Sequence, residues 1–175
     1  SPAGTPASAP ADTPNDVPND VPSETPSVSA GTPGPGDAAS AAFVALASGA
    51  SDEVPWAQLV SYSIGGVKVS AFRPGPGVAE SLEGCPPGVD EVEGRPCPVS
   101  PLRTVSETTD PEVEKVPPTV VGCNKFRAPQ VPDELTTATI RAPEGSRDCF
   151  SDFVVTLFFN DVGEVKWLDF TLSGP

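Results

Sequence analysis

A proline at every fourth position dominates the beginning of this sequence. The period runs without interruption from Pro2 to Pro26, and the residues between the prolines are small or polar. Proline fixes the φ angle and has no amide hydrogen to donate, so this spacing excludes both helix and sheet. We therefore predict that residues 1–36 form a disordered, extended tether, with an upper reach on the order of 110 Å at ~3.1 Å per residue.

Residues 37–175 are predicted to fold as a single domain with its own hydrophobic core. The 175-residue chain contains no methionine, which favours the removal of an upstream segment such as a signal peptide. A lipid anchor on a cysteine upstream of Ser1 is a second interpretation of the same observation. No apolar run reaches the ~18 residues that a membrane-spanning helix needs, so we expect no transmembrane segment.

The charge of the chain is strongly negative. Its 24 acidic and 10 basic residues give a formal net charge of −14, and every basic residue lies at or beyond Lys68. Such a domain is repelled by phosphate backbones and by anionic lipid surfaces, so nucleic acid is not an expected partner. Solubility is the simplest reason for the charge, and an acidic recognition patch is the alternative.

Four cysteines are present, and histidine is absent. The cysteines lack the paired CxxC spacing of a zinc site, so two disulfide bonds in an oxidising compartment are the favoured interpretation. Reduced thiols in a cytosolic protein are the alternative. Of the three possible pairings we predict Cys85–Cys97 and Cys123–Cys149, because each closes a local loop flanked by proline.

One helix and a series of strands are predicted in residues 37–175. The helix is expected to begin with Asp37 as its N-cap and to stop at Gly49, with Phe43 on its buried stripe. A short helical turn is expected at residues 55–58. Four strands are predicted at Leu59–Ile64, Val67–Phe72, Thr119–Cys123 and Thr136–Arg141, with Gly65-Gly66 as the turn between the first two.

The clearest pattern is a C-terminal hairpin of two apolar runs, Phe153–Phe159 and Glu164–Leu172. The loop between them suits a turn closed by Gly163 in the left-handed conformation. Counting outward from this loop pairs Phe159 with Glu164. Both faces of the hairpin then carry apolar residues, so we predict a central position in the sheet, with both faces covered.

The second face of this hairpin is the candidate binding site. It carries Phe158, Trp167 and Asp169, two aromatic side chains and one carboxylate, on a surface that a single helix is not expected to cover. We interpret this face as a ligand pocket or a partner groove. The alternative is that the proline-rich loop region 74–118 lies over the face as a lid.

Catalytic signatures are absent from the sequence. Without histidine there is no Ser-His-Asp triad, and no glycine-rich loop stands between a strand and a helix as nucleotide binding requires. Asp148, Asp152 and Asp161 flank the hairpin without the spacing of a calcium loop, and we interpret them as solvated charges. We therefore expect no cofactor and no metal, and we assign no catalytic residue.

Ten features of the sequence occur in an order seen elsewhere. They are Phe43–Ala47, Pro55–Gly66, Cys123, Ala128–Pro132, Leu135, Ala138–Ile140, Asp148-Cys149, Phe153–Phe159, Gly163 and Leu168–Leu172. This order resembles a group of uncharacterised exported proteins and lipoproteins from high-GC bacteria. The resemblance implies an extracellular or cell-envelope location, and it supports the Cys123–Cys149 pair. It implies no activity.

The expected fold is α+β, with one N-terminal helix packed on a twisted antiparallel sheet of about five or six strands. An arrangement similar to NTF2-like or cystatin-like proteins is the first choice, and a β-sandwich is the second. The expected function is non-enzymatic: a monomeric, tethered envelope domain that binds another envelope component or a small ligand. A carboxylate-dependent hydrolase of extracellular polymers and a purely structural domain are the alternatives.

Overall fold

The computed structural model describes residues 34–50, 52–82, 91–92, 95–96 and 100–173, which belong to one compact unit, Gly34–Pro175. Residues 1–33 of the predicted tether lie outside the described residues. Cys85 and Cys97 do so as well, and their bridge stays a prediction.

The first helix, α1, spans Pro35–Ala47 and begins earlier than the sequence predicts. Gly34 is its N-cap, and Asp37 lies three residues later, where its Oδ2 accepts the Gly34 N–H at 3.3 Å. The prediction of Asp37 as N-cap is therefore wrong, because a proline suits the first helical position and extends the helix toward its N-terminus. Gly49, with a φ of 81°, follows the end of the helix as predicted.

The remaining elements are short helices and strands. In chain order they are β1 (Trp56–Ile64), β2 (Val67–Phe72), α2 (Val78–Ser81), β3 (Glu91–Val92), β4 (Arg95–Pro96), α3 (Pro101–Ser106), β5 (Glu112–Glu114), β6 (Val120–Val121), β7 (Asn124–Lys125), β8 (Thr136–Arg141), a 3-10 turn (Glu144–Ser146), β9 (Phe153–Phe159) and β10 (Val165–Leu172). None of the described helices has the length and apolarity needed to cross a membrane.

One open sheet of six strands organises the domain, in the order β2-β1-β10-β9-β8-β5. The predicted α+β class is confirmed, since α1 packs on one face of this sheet against β8 and β9. The sheet is mixed, because β1 and β10 run parallel while its other neighbouring strands are antiparallel. The second choice, a β-sandwich, does not describe this single sheet.

Two local predictions near the ends of the sheet are wrong. Residues 56–58 belong to β1 and not to a helical turn. Phe159 pairs with Val165 and not with Glu164, and the pairing then shifts so that Trp167 faces Phe158. Lys166 is the extra residue of this β-bulge, which places Val165 in the helix-side core together with Leu168.

The hydrophobic core lies on the α1 side of the sheet. Phe43 of α1 is fully buried there with Leu157 and Phe170 of the hairpin. The loop region 74–118 contributes to the same core through α2 and α3, for example with Leu102. Within the described part of residues 74–118, α2 and α3 therefore lie on the helix side of the sheet and not on the second hairpin face, which this region is predicted to cover as a lid.

The opposite face of the sheet is more polar than predicted. Four buried polar residues lie in register across neighbouring strands of this face: Ser63, Asp169, Thr156 and Thr139. The segment 120–130 makes hydrogen bonds on this side, from Arg127 to Gly65 and from Gly122 to Asp152. The predicted Cys123–Cys149 disulfide is formed in the same region, with 4.7 Å between the Cα atoms.

Candidate functional site

The three predicted site residues lie on the polar face of the sheet, and Trp167 lines a groove there. Phe158 of β9 is 4 % exposed and Asp169 of β10 is fully buried. Trp167 of β10 is half-buried, and its ring forms part of the wall of a groove. The candidate site therefore begins at Trp167, with Asp169 beneath it.

Hydrogen bonds fix the orientation of the Trp167 indole. Its Nε1 donates to Ser63 Oγ at 2.9 Å, and the Ser63 hydroxyl donates to Asp169 Oδ1 at 2.6 Å. The register of the parallel strands places Ser63 of β1 directly beside Asp169 of β10. Since the indole N–H is already bonded within the protein, the ring offers a ligand its face and its carbon edge.

Asp169 is a buried carboxylate that neutral donors surround. Besides Ser63, its Oδ1 accepts the Gly66 N–H at 2.9 Å, and its Oδ2 accepts the Thr171 hydroxyl at 2.8 Å. Burial raises the pKa of Asp169 above its ordinary value of 3.8, while the hydrogen bonds from Ser63, Thr171 and Gly66 and the charge of Arg127 oppose part of this rise. Through these hydrogen bonds, Asp169 links Ser63, which holds the Trp167 indole, to Gly66 of the β1–β2 turn.

The β1–β2 turn forms one end of the groove. Gly65 and Gly66 both have positive φ angles, 60° and 85°, as a two-residue type I′ hairpin turn requires. Arg127 Nε donates to the Gly65 carbonyl at 3.1 Å. A Cβ atom on Gly66 would stand 2.6 Å from the Arg127 carbonyl oxygen, so the loop around Arg127 packs directly on this turn.

The groove itself has a volume of about 550 Å³. Its walls are residues 66–68, Arg127, Ala128, Gln130 and Trp167. The Lys68 ammonium stands 5.6 Å from the centre of the Trp167 ring, within the range of a cation–π contact. The groove thus combines an aromatic ring, two positively charged side chains and an amide, and the described residues of its walls include no carboxylate.

A second depression, of about 490 Å³, lies between the end of α3, the segment after β8 and the start of β9. Hydroxyl groups of Thr104, Thr108 and Ser151 line it, together with the Phe153 ring and the carboxylate of Glu107. No lysine or arginine belongs to its walls. It lacks the fixed aromatic side chain and the positive charges of the groove beside Trp167.

The acidic residues around the C-terminal hairpin differ in environment. Asp148 and Asp161 are exposed, as predicted for solvated charges, and backbone N–H groups of Phe150 and Ser151 lower the pKa of Asp148. Asp152 contradicts that interpretation, because it is buried and pairs with Arg141 at 2.7 Å. Within the described ranges, no group of three or more metal-ligating side chains could hold an ion.

Several residues of the groove and its support were not predicted as site residues, among them Ser63, Lys68, Arg127 and Gln130. Lys68 follows the Gly65-Gly66 turn, and that turn was a usable signal for its position near a sheet edge. Ser63 had no comparable signal, because it meets Asp169 through a pairing of strands 106 residues apart in the sequence. Arg127 and Gln130 had none either, because they lie in a loop outside the helices and strands. Comparison with protein-family models, with curated proteins and with solved structures gives no match to this chain.

Proposed function

We propose that this chain is an extracellular, tethered, non-enzymatic binding domain of the cell envelope, and that its ligand site is the groove beside Trp167. The observation that carries the proposal is the fixed indole: Trp167 is held by Ser63 while its ring lines an open groove. Binding sites commonly combine an apolar surface with a few well-placed polar groups.

An extracellular location is supported by two features. The Cys123–Cys149 disulfide is of the kind that persists in oxidising compartments. The proline period of residues 2–26 suits a spacer that holds a domain away from its point of attachment.

A binding role is favoured over catalysis by the state of the buried carboxylates. Asp169 accepts three hydrogen bonds, and Asp152 pairs with Arg141, so both are engaged within the fold. Neither belongs to the walls of the groove. Carboxylate-dependent acid–base chemistry needs a carboxyl group within hydrogen-bond reach of the substrate, and the described walls of the groove contain none.

The test is an NMR titration of the full chain with a defined panel of neutral oligosaccharides, acidic oligosaccharides and short peptides. Ligand-induced shifts confined to residues 66–68, 127–130 and the Trp167 indole would support the proposal. Shifts elsewhere, or none with any member of the panel, would overturn it. Trp167→Phe is the site variant, and Trp56→Phe is its matched control, since Trp56 packs on Phe72 outside the groove.

A further inference from the structure

The groove beside Trp167 concentrates positive charge on a protein of net charge −14. Lys68 and Arg127 both line it, and none of the described residues in its walls is acidic. An anionic ligand is therefore attracted to this groove and repelled by most of the remaining surface.

Lys68 is the cation best placed to meet a ligand. It is exposed, and no carboxylate of the described residues lies within ion-pairing distance of its ammonium, whose neighbour is the Trp167 ring. Arg127 adds a second charge to the same groove, but part of its field acts on Asp169 below. We therefore expect the loss of Lys68 to affect an anion more than the loss of any other single charge.

The other residues of the groove walls select for features of a ligand besides its negative charge. The Trp167 ring presents only carbon atoms and π electrons to the groove, since its N–H is bonded to Ser63, and such a surface packs well against the C–H groups of a sugar ring. The Gln130 amide both donates and accepts hydrogen bonds, as hydroxyl groups also do. A ligand that satisfies all these groups needs an apolar ring face, several hydroxyl groups and a negative charge.

We propose that the groove binds a carboxylated saccharide of the uronic-acid type, a proposal that rests on the binding function proposed above. The sugar ring packs against Trp167 beside the Lys68 ammonium, its carboxylate meets Lys68 and Arg127, and Gln130 bonds to its hydroxyl groups. The volume of about 550 Å³ falls within the range of about 300–1,000 Å³ for ligand sites and suits a short oligomer.

The experiment is a calorimetric titration of the full chain with trimeric galacturonate and with its methyl ester, which keeps the sugar rings and removes the charge. We expect the acid to bind at least about tenfold more tightly than the ester, and its affinity to fall as salt is raised. Monomeric galacturonate is the third ligand. Tighter binding of the trimer indicates a polymer segment, and equal binding indicates a free sugar acid.

Lys68→Gln and Lys115→Gln form a matched pair of variants. Both positions are exposed and both changes remove one positive charge, but Lys115 follows β5 at the opposite edge of the sheet from β2. Lys68→Gln should weaken binding of the acid by about tenfold and leave the ester unaffected, whereas Lys115→Gln should change neither. An equal effect of the two variants would overturn the assignment of Lys68.

The two proposals fail in different ways. Equal or tighter binding of the ester in the groove overturns the anionic ligand and leaves the binding function standing. If galacturonates do not bind while another member of the NMR panel shifts the groove residues, the uronic-acid ligand is overturned and the binding function stands. If no ligand of the panel shifts the groove residues, both proposals are overturned.

Discussion

The hydroxyl of Ser63 donates to the carboxylate of Asp169 at 2.6 Å, although the two residues are 106 positions apart in the sequence. The same hydroxyl accepts the indole N–H of Trp167 at 2.9 Å. A single oxygen atom of β1 thus connects the buried carboxylate to the aromatic wall of the groove. The stability of the domain and the geometry of its candidate site therefore depend on the same contact.

Replacing Ser63 by alanine should destabilise the domain by about 2 kcal/mol, because the buried carboxylate loses a donor and the indole loses its acceptor. Urea denaturation would give this change in the free energy of unfolding. The indole N–H resonance of Trp167 should also move, since its hydrogen bond is lost. Ser61→Ala is the control, because Ser61 is half-buried on the same strand without a side-chain hydrogen bond to the described residues. Similar losses in both variants would contradict a special role of Ser63.

The pH dependence of the free energy of unfolding should reveal the titration of the Asp169 carboxyl group. A pKa raised by burial means that the folded protein holds this proton more tightly than the unfolded chain does. The stabilising contribution of the protonated group is complete below the ordinary pKa of 3.8 and is lost as pH rises through the folded-state value.

Asp169→Asn removes this titration and keeps an oxygen that can accept from Ser63 and Gly66. Urea midpoints of the two proteins, measured from about pH 4 to pH 7, should therefore diverge in favour of the variant as pH rises. All other carboxyl groups are common to both proteins, so their contributions cancel in the difference between the two urea midpoints. Parallel curves across this range would show that burial does not raise the pKa of Asp169.

The strands of this fold were largely predictable, because their signals are local. Alternating apolar residues and the Gly65-Gly66 turn locate β1 and β2, and β8 and β9 have the predicted bounds. The parallel pairing of β1 with β10 was not predictable, since no local pattern states which distant strand a strand will meet. Trp167 and Asp169 were found by two-residue alternation, whereas Ser63 and Arg127 join them only through that pairing and loop packing.

The irregular positions show a second limit of sequence patterns. The bulge at Lys166 places the Val165 side chain in the helix-side core and not on the predicted second face. The alternation of residues along the strand gives no sign of this bulge. Asp152 looks like its exposed neighbours in the sequence, and only the fold brings Arg141 to it. Residues whose environment depends on a single long-range partner are those that a pattern misassigns.

Gly66→Ala should disturb both the turn and the groove. The residue has a φ of 85°, which costs an L-residue roughly 1–2 kcal/mol, and a Cβ atom would stand 2.6 Å from the Arg127 carbonyl oxygen. We expect a loss of stability of about 2 kcal/mol or more, together with NMR shifts in residues 126–130. Gly75→Ala is the matched control, because a Cβ there meets nothing within 4 Å. A variant as stable as the wild type, with unchanged loop shifts, would contradict this close packing.

The buried ion pair of Arg141 and Asp152 should prove strongly coupled. Their atoms are 2.7 Å apart and both side chains are nearly inaccessible, and they also bond to the backbone of the β6–β7 hairpin at Val120 and Gly122. Arg141→Leu should cost about 3–5 kcal/mol, because it leaves a buried carboxylate without its counter-charge. Hydrogen exchange of the Gly122 amide should become faster in the same variant.

A double-mutant cycle with Asp152→Asn separates this coupling from simple losses of packing. The double variant should lose less stability than the sum of the two single variants, because the second change removes the charge that the first leaves unpaired. The exposed pair Arg103–Glu107, at 2.8 Å, is the control cycle, and its coupling should not exceed about 0.5 kcal/mol. Additive losses at Arg141 and Asp152 would show that the pair does not hold the β6–β7 hairpin on the sheet.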